Sequence, residues 1–445
     1  MRLLYLIILL GLFSCKYEKY EPAASLSPLA ECIDGHAKFT LDGKEYEYEC
    51  DGYDLMGYVS LDEMNADSGN DCWGWTDPSS GKEYALMGLD NGTAFIDISI
   101  PTSPVYLGKL PTATEPSSWR DLKVYNDHVF IVSEAAGHGM QVFDLSQLRG
   151  LDSKQNFTAD YTYSGYGQAH NIAINTETGY AYTAGAGVAG NGKPGFGIHA
   201  LNINDPLSPV LELQSNDIIP VNAQGEGAYT HDAQIVNYIG PDSDHFGKEI
   251  YIGSNENKVV FVDVTDKSSP KLISEFLYDD SQYTHQSWLS EDHRYALLGD
   301  ELDELTPYIK GGPPPVFRDG DESKTKTVVI DISDLDNPIL HFKYVAETKE
   351  TIDHNGYVVG SKFYLASYTA GLRVIDIINI DQKSFEEIGF FDTHIDDHAH
   401  NTSEESSPPW GDPGDHTGIK GGEIEGFNGA WSVYPFFNSE NILIS

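Results

Sequence analysis

Thr230-His231-Asp232-Ala233-Gln234-Ile235 reads by itself as a polar turn running into a short strand. Its weight comes from repetition. Trp119-Arg120-Asp121-Leu122-Lys123-Val124 and Ala169-His170-Asn171-Ile172-Ala173-Ile174 precede it. Thr284-His285-Gln286-Ser287-Trp288-Leu289 and Asp353-His354-Asn355-Gly356-Tyr357-Val358 follow. Looser copies stand at Asp71-Cys72-Trp73-Gly74-Trp75 and at Gly429-Ala430-Trp431-Ser432-Val433. Spacings run from 48 residues (Cys72 to Arg120) to 76 (His354 to Ala430). Self-similarity at such a period marks an array of supersecondary units.

Each unit continues in the same way. An apolar strand follows the signature, as in Val129-Phe130-Ile131-Val132 and Tyr295-Ala296-Leu297-Leu298. A third strand ends in an apolar-Asp-apolar step at Asp97, Asp144, Asp263, Asp331 and Asp376, with Asn202 in the third unit. These Asp side chains are expected to bond their own backbone and form turns. A fourth strand comes after a Pro-containing turn, as in Ser103-Pro104-Val105-Tyr106-Leu107. Short strands separated by turn residues, without a helical period, indicate an all-β protein. Four-stranded units repeated radially make a β-propeller. Six units are complete and the seventh ends with the chain, so the expectation is a seven-bladed propeller. The spare strands near residues 38–48 and 53–61 are expected to complete the last blade.

Composition agrees with such a fold: 40% hydrophobic residues, 12% aromatic, and 43 Gly for turns. The 27 basic against 69 acidic side chains give a net charge of −42. That charge opposes binding to nucleic acid and anionic membranes and leaves a solvated acidic surface. A monomer is expected.

Residues 1–15 read as a lipoprotein signal peptide. Arg2 precedes the apolar run Leu3 to Phe13, which is too short to span a bilayer. It ends in Leu12-Phe13-Ser14-Cys15, a lipobox pattern with Cys15 as the lipid anchor. Residues 16–31 read as a flexible tether, and 32–445 as the propeller. The expected location is the bacterial cell envelope, at the outer membrane or cell surface, held by lipid alone. An exported chain permits disulfides. Cys32 and Cys50 bracket a hairpin with an Asp-Gly turn, so these two are expected to pair, leaving Cys72 as a buried thiol. Two loop insertions break the rhythm, at 301–325 and 393–428.

The signature strands, the apolar-Asp-apolar strands and the run Trp73-Gly74-Trp75-Thr76-Asp77-Pro78 resemble the LVIVD-repeat proteins of the bacterial choice-of-anchor B family. His138-Gly139-Met140-Gln141 and Asp300-Glu301-Leu302-Asp303-Glu304 add to the resemblance. It implies an exported propeller held at the surface by an anchor that varies between members. Paired cysteines belong to that pattern, though the segment between Cys32 and Cys50 is longer here. No activity comes with the resemblance.

If the signature strand is innermost, one level of the central channel reads Cys72, Arg120, His170, His231, His285, His354, Ala430. Two readings follow. In the first, His170, His231, His285 and His354 ligate a divalent transition metal, with Asp121, Asp232 and Asp353 orienting their N–H groups. Arg120 then receives an anion, beside Trp119. In the second, these side chains bond neighbouring blades and hold the ring together. His394, His398 and His400 form a further metal candidate, and Asp300, Glu301, Asp303 and Glu304 a candidate for Ca²⁺. No Ser-His-Asp order or His-Glu-x-x-His motif is present. The expected role is therefore a non-catalytic module that binds a protein, peptide or glycan. The alternative is a metal-dependent hydrolase or oxidoreductase.

Overall fold

Among the described residues six large sheets form, antiparallel apart from Gln155–Asn156 beside Val105–Pro111, and each carries one signature strand at its inner end. The computed structural model describes residues 27–41, 43–187, 197–215, 217–221, 227–305, 324–346, 351–394, 427 and 429–445. The first strands of the sheets are Gly69–Thr76, Arg120–Tyr125, Asn171–Asn175, Asp232–Asn237, Thr284–Leu289 and Gly356–Val359. A two-stranded sheet, Val433–Tyr434 with Leu443–Ile444, comes last. Each first strand lies against the first strand of the next sheet, and Val433–Tyr434 lies against both Gly356–Val359 and Gly69–Thr76. The sheets thus close into a ring with the signature strands innermost, which is the arrangement of a β-propeller.

The local chemistry of each blade is that of its sequence. Asp97, Asp144, Asp263, Asp331 and Asp376 each accept a hydrogen bond from the backbone N–H two residues on, at 2.8–3.1 Å. Asn202 does the same for Asn204. These are the expected Asx turns. In five blades a bulge interrupts the third and fourth strands two residues before that side chain, as at Phe95/Ile96 and Val329/Ile330. A bulge raises local twist, and each blade needs twist to splay from its neighbour.

The core is divided among the interfaces. One apolar cluster joins blades one and two through Leu86, Phe95, Leu122 and Phe143, with the Phe95 and Phe143 rings stacked at 4.9 Å. Others join blades two and three, three and four, four and five, and five and six. Two more flank the two-stranded sheet.

The N-terminal strands do not complete that last sheet. Cys32–Ile33, His36–Leu41 and Lys44–Asp51 extend blade six instead, with Phe390 opposite Asp51 and Phe391 opposite Cys50. The outer strand Glu386–Phe391 offers an unpaired edge, and Phe391 packs with Tyr48 (ring centroids 5.9 Å apart), Ala37 and Cys50. Residues 53–66 contribute side chains to the ring closure, not strands. Tyr53 and Leu55 cluster with Val433, Ile442 and Ile444, and Val59, Leu61 and Met64 with Tyr434 and Leu443. The Cys32–Cys50 disulfide forms across a Cα–Cα distance of 5.9 Å, and Cys72 is a buried free thiol. Among the described residues no helix is long and apolar enough to cross a membrane. Cys15, His398 and His400 lie outside the described residues.

Candidate functional site

The start of each inner strand faces one mouth of the channel. Asp71, Trp119, Arg120, Asp121, His170, Asn171, His231, Asp232, His285, His354, Asn355 and Trp431 line a cavity there of about 20 Å³, room for about one water molecule. The register differs by one residue at the two ends of the expected ring. Asp71 takes the place expected for Cys72, and Trp431 that of Ala430. A bulge between Gly69 and Cys72 shifts the first strand, and one residue of shift exchanges the faces of a strand. Cys72 donates instead to the Ser432 carbonyl at 3.8 Å.

The four histidines form an arc. Successive ring centroids stand 4.2 Å (His170 to His231), 4.3 Å (His231 to His285) and 4.1 Å (His285 to His354) apart. Three of them are oriented through Nδ1. His231 Nδ1 donates to the His285 carbonyl at 3.1 Å, and His354 Nδ1 to the Trp431 carbonyl at 2.6 Å. His170 Nδ1 meets Glu134 Oε1 at 2.6 Å. The two backbone contacts are bonds between neighbouring blades, and they leave Nε2 of His231 and His354 as a lone pair facing the channel. His285 is different: only 1% exposed, with neither ring nitrogen hydrogen-bonded among the described residues. A bulge between Thr284 and Gln286 places it, and a bulge re-aims a side chain.

Burial and the neighbouring imidazoles hold His231 and His285 well below the ordinary histidine range. His354 is pushed down to about 3, chiefly by burial. These three are neutral imidazoles at physiological pH. His170 goes the other way: burial opposes its charge, but the Glu134 carboxylate outweighs it and raises the pKa.

Glu301 completes the set. Its carboxylate oxygens stand 3.9 Å from His285 Nε2 and 3.7 Å from His354 Nε2, and Tyr368 donates to Oε1 at 2.8 Å. Burial pushes its carboxyl up to about 7. By sequence alone Glu301 belongs to an acidic loop, apart from the histidines. The signal was in the hairpin register. Thr284 pairs with Asp300 and Glu301 N donates to the Tyr283 carbonyl at 3.1 Å, so Glu301 lies just beyond the strand end at the mouth. In blade two, Arg120 pairs with Ser133, which puts Glu134 in the same place. Each glutamate then reaches a histidine of the following blade.

Other expected roles change in the folded chain. The Arg120 guanidinium points into the interface of blades one and two. It donates to Leu89 O, Thr112 Oγ1 and His138 Nε2, each at 2.9 Å, so it is no free anion receptor. His138, pushed down to about 4 by burial and by Arg120, accepts as a neutral ring. Asp121 and Asp232 do not orient histidines. Asp121 accepts from Ile172 N at 2.7 Å and from Lys123 Nζ at 2.5 Å. Asp232 accepts from Gln286 Nε2 at 3.1 Å, and Gln286 accepts in turn from Gly356 N at 2.6 Å. Together with Asn355 to Ser432 Oγ, these side chains link consecutive inner strands. The residue after the ring position therefore stitches blades at Asp121, Asp232, Gln286 and Asn355, while the four histidines line the channel mouth.

The acidic run does not converge on one point. Asp300 accepts from Tyr278 Oη and from Gln282 N and Tyr283 N, Glu301 reaches the histidines, and Asp303 pairs with Lys326 at 3.3 Å. Glu304 and Asp353 are buried, and burial with neighbouring carboxylates raises both well above the usual range. His394 is half-buried, its N–H bonded to Asp392 at 2.9 Å.

Below the histidines the channel widens to a cavity of about 180 Å³ walled by Trp73, Trp288, Tyr357 and Lys123. Lys123 Nζ sits 4.5 Å from the Trp73 ring centroid and bonds Asp71 at 3.0 Å as well as Asp121.

The LVIVD repeat model matches residues 246–277 and 323–346. These are outer strands of blades four and five, with the Asx-turn aspartates Asp263 and Asp331 but none of the channel histidines. No curated protein sequence matches the chain significantly. Among solved structures, a putative 6-phosphogluconolactonase from Bacteroides uniformis is similar over 78% of this chain and 92% of its own. Its TM-score is 0.51 and its identity 13%. Hydrazine synthase of Kuenenia stuttgartiensis is similar over 87% and 99%, with TM-score 0.49 and 12% identity. At these identities the likeness concerns fold alone. The chain is a β-propeller carrying LVIVD repeats.

Proposed function

We propose that this protein is a non-catalytic binding module, a propeller of the choice-of-anchor B type tethered to the cell envelope through Cys15. In this reading the two-stranded sheet is the seventh blade, and the first six are complete. The ligand is a protein segment, peptide or glycan taken at the histidine mouth of the channel, and the working form is a monomer.

One observation carries the reading. The mouth gathers neutral histidines together with Trp119 and Trp431, above an aromatic-walled cavity. Aromatic side chains beside a few fixed polar groups are the usual makeup of a recognition site. The acidic surface directs the choice of partner away from nucleic acid.

The test is a peptide and glycan array probed with purified protein, repeated with Trp119→Ala and Trp431→Ala. Binding that both substitutions abolish supports the mouth as the site. A ligand retained equally by both variants would refute that placement. The second reading, a metal-dependent hydrolase or oxidoreductase, is favoured by the approach of Glu301 to His285 and His354. Turnover of any arrayed ligand, lost on metal removal, would select it.

A further inference from the structure

We infer that the mouth of the channel holds a divalent transition metal, bound by Nε2 of His285, Nε2 of His354 and the carboxylate of Glu301. The inference deepens the binding reading by naming an ion at the same site, and it stands on geometry of its own. One ligand atom from each of the three residues lies within 4.8 Å of the others.

Two atoms bound tetrahedrally to one ion at 2.0–2.2 Å are separated by about 3.4 Å. The observed 3.7 Å from Glu301 Oε1 to His354 Nε2 and 3.9 Å from Glu301 Oε2 to His285 Nε2 stand close to that value, and an ion would draw the three side chains inward from separations of at most 4.8 Å. The neighbours are already arranged for it. His354 donates its Nδ1–H to the Trp431 carbonyl, the bond that usually fixes a ligating imidazole. Tyr368 holds the Glu301 carboxylate in turn. His285 is buried with neither nitrogen hydrogen-bonded among the described residues, a state that is costly for a polar ring unless a partner arrives. An ion at its Nε2 supplies that partner.

Two imidazoles and one carboxylate select Zn²⁺, Fe²⁺, Mn²⁺ or Co²⁺ over the hard, oxygen-seeking Ca²⁺. Three protein ligands leave a coordination position open toward the channel. His231, one ring away, borders that position. A carboxylate, hydroxyl or imidazole of a bound peptide or glycan has the chemistry to fill it.

Cobalt is the probe. The full chain, purified in detergent without a His tag and stripped with chelator, is titrated with Co²⁺ and followed by visible absorption. One equivalent with ligand-field bands is expected. Glu301→Gln and His285→Asn should each weaken binding by at least about 100-fold, and Tyr368→Phe by about 10-fold, as for an outer-sphere partner. A folded circular dichroism spectrum qualifies each variant, and Tyr368→Phe keeps all three ligands if the others fail to fold. His245→Asn tests the half-exposed group Asp242, His245 and Asp336 and should leave the titration unchanged. No saturable Co²⁺ in the wild type, or binding lost with His245→Asn and kept with Glu301→Gln, would overturn the inference. Peptide or glycan capture by the metal-free protein bears only on the binding reading, so the two can fail separately.

Discussion

Lys123→Met should destabilise the whole ring, and the structure sets the size of the effect. Lys123 Nζ is shared between Asp71 of blade one at 3.0 Å and Asp121 of its own blade at 2.5 Å. Asp121 continues the chain of contacts to Ile172 N of blade three. Asp71 and Asp121 are 2% and 4% exposed. Burial acts against the lysine charge, but the two carboxylates outweigh it and hold the pKa well above the ordinary value. Methionine keeps the side-chain length and removes the charge, stranding two buried carboxylates. Breaking one member of a buried ion set costs about 3–5 kcal/mol. At roughly 2.1 cal/mol/K per residue, a 445-residue chain has an unfolding entropy near 0.9 kcal/mol/K, so Tm should fall by about 3–5 °C. The assay is differential scanning calorimetry at pH 7 on wild type, Lys123→Met and Lys123→Met with Asp71→Asn. Adding Asp71→Asn removes one stranded charge and should restore part of the loss. An unchanged Tm for Lys123→Met, or a double variant less stable than the single, would refute the reasoning.

Further expectations concern acid stability, the rim of the fold and its thiol. Burial opposes the charge of Asp77, but bonds from Arg149, Ser79 and Ser80 outweigh it and hold the carboxyl far below the usual range. A depressed folded pKa contributes stability above the unfolded pKa near 4, and that contribution is lost as pH falls through the folded value. Asp77→Asn should therefore lower Tm at pH 7 and narrow its gap to wild type in melts toward pH 2; a gap independent of pH would count against it. Gln286→Ala removes the link from Asp232 to Gly356 N and should cost about 1–3 kcal/mol by leaving buried groups unmet, read by urea denaturation. Replacing Cys32 and Cys50 by Ala opens a bridge spanning 18 residues, worth about 3 kcal/mol in the chain-entropy estimate. Hydrogen exchange should then rise in His36–Leu41 and Lys44–Asp51 while the inner strands keep their protection. Cys72, buried and with its thiol pKa pushed up by burial, should react with a thiol reagent only after unfolding.

Much of the architecture was legible because it is local. The signature spacing marks the blades, and the Asp of each apolar-Asp-apolar step caps a turn two residues away. Cys32 and Cys50 close a hairpin whose strands adjoin in sequence. The ring histidines were legible too, since a repeat carries one position to the same height in every blade. In both cases the information lies within one unit or in the period between units.

What the tertiary structure alone decided lies between units. The sequence names Glu301 but not its neighbour on another blade, because that proximity depends on pairing register and on how far each blade turns. Arg120 reads as a channel cation until His138, Leu89 and Thr112, brought together from blades one and two, engage its donors. The N-terminal hairpin had two unpaired edges available in principle. Packing of Tyr48 and Cys50 against Phe391 chose blade six. Side-chain direction, inter-blade contact and edge choice arise from desolvation and packing of residues distant in sequence, so no periodicity along the chain encodes them, whereas strand, turn and repeat are written in nearest neighbours.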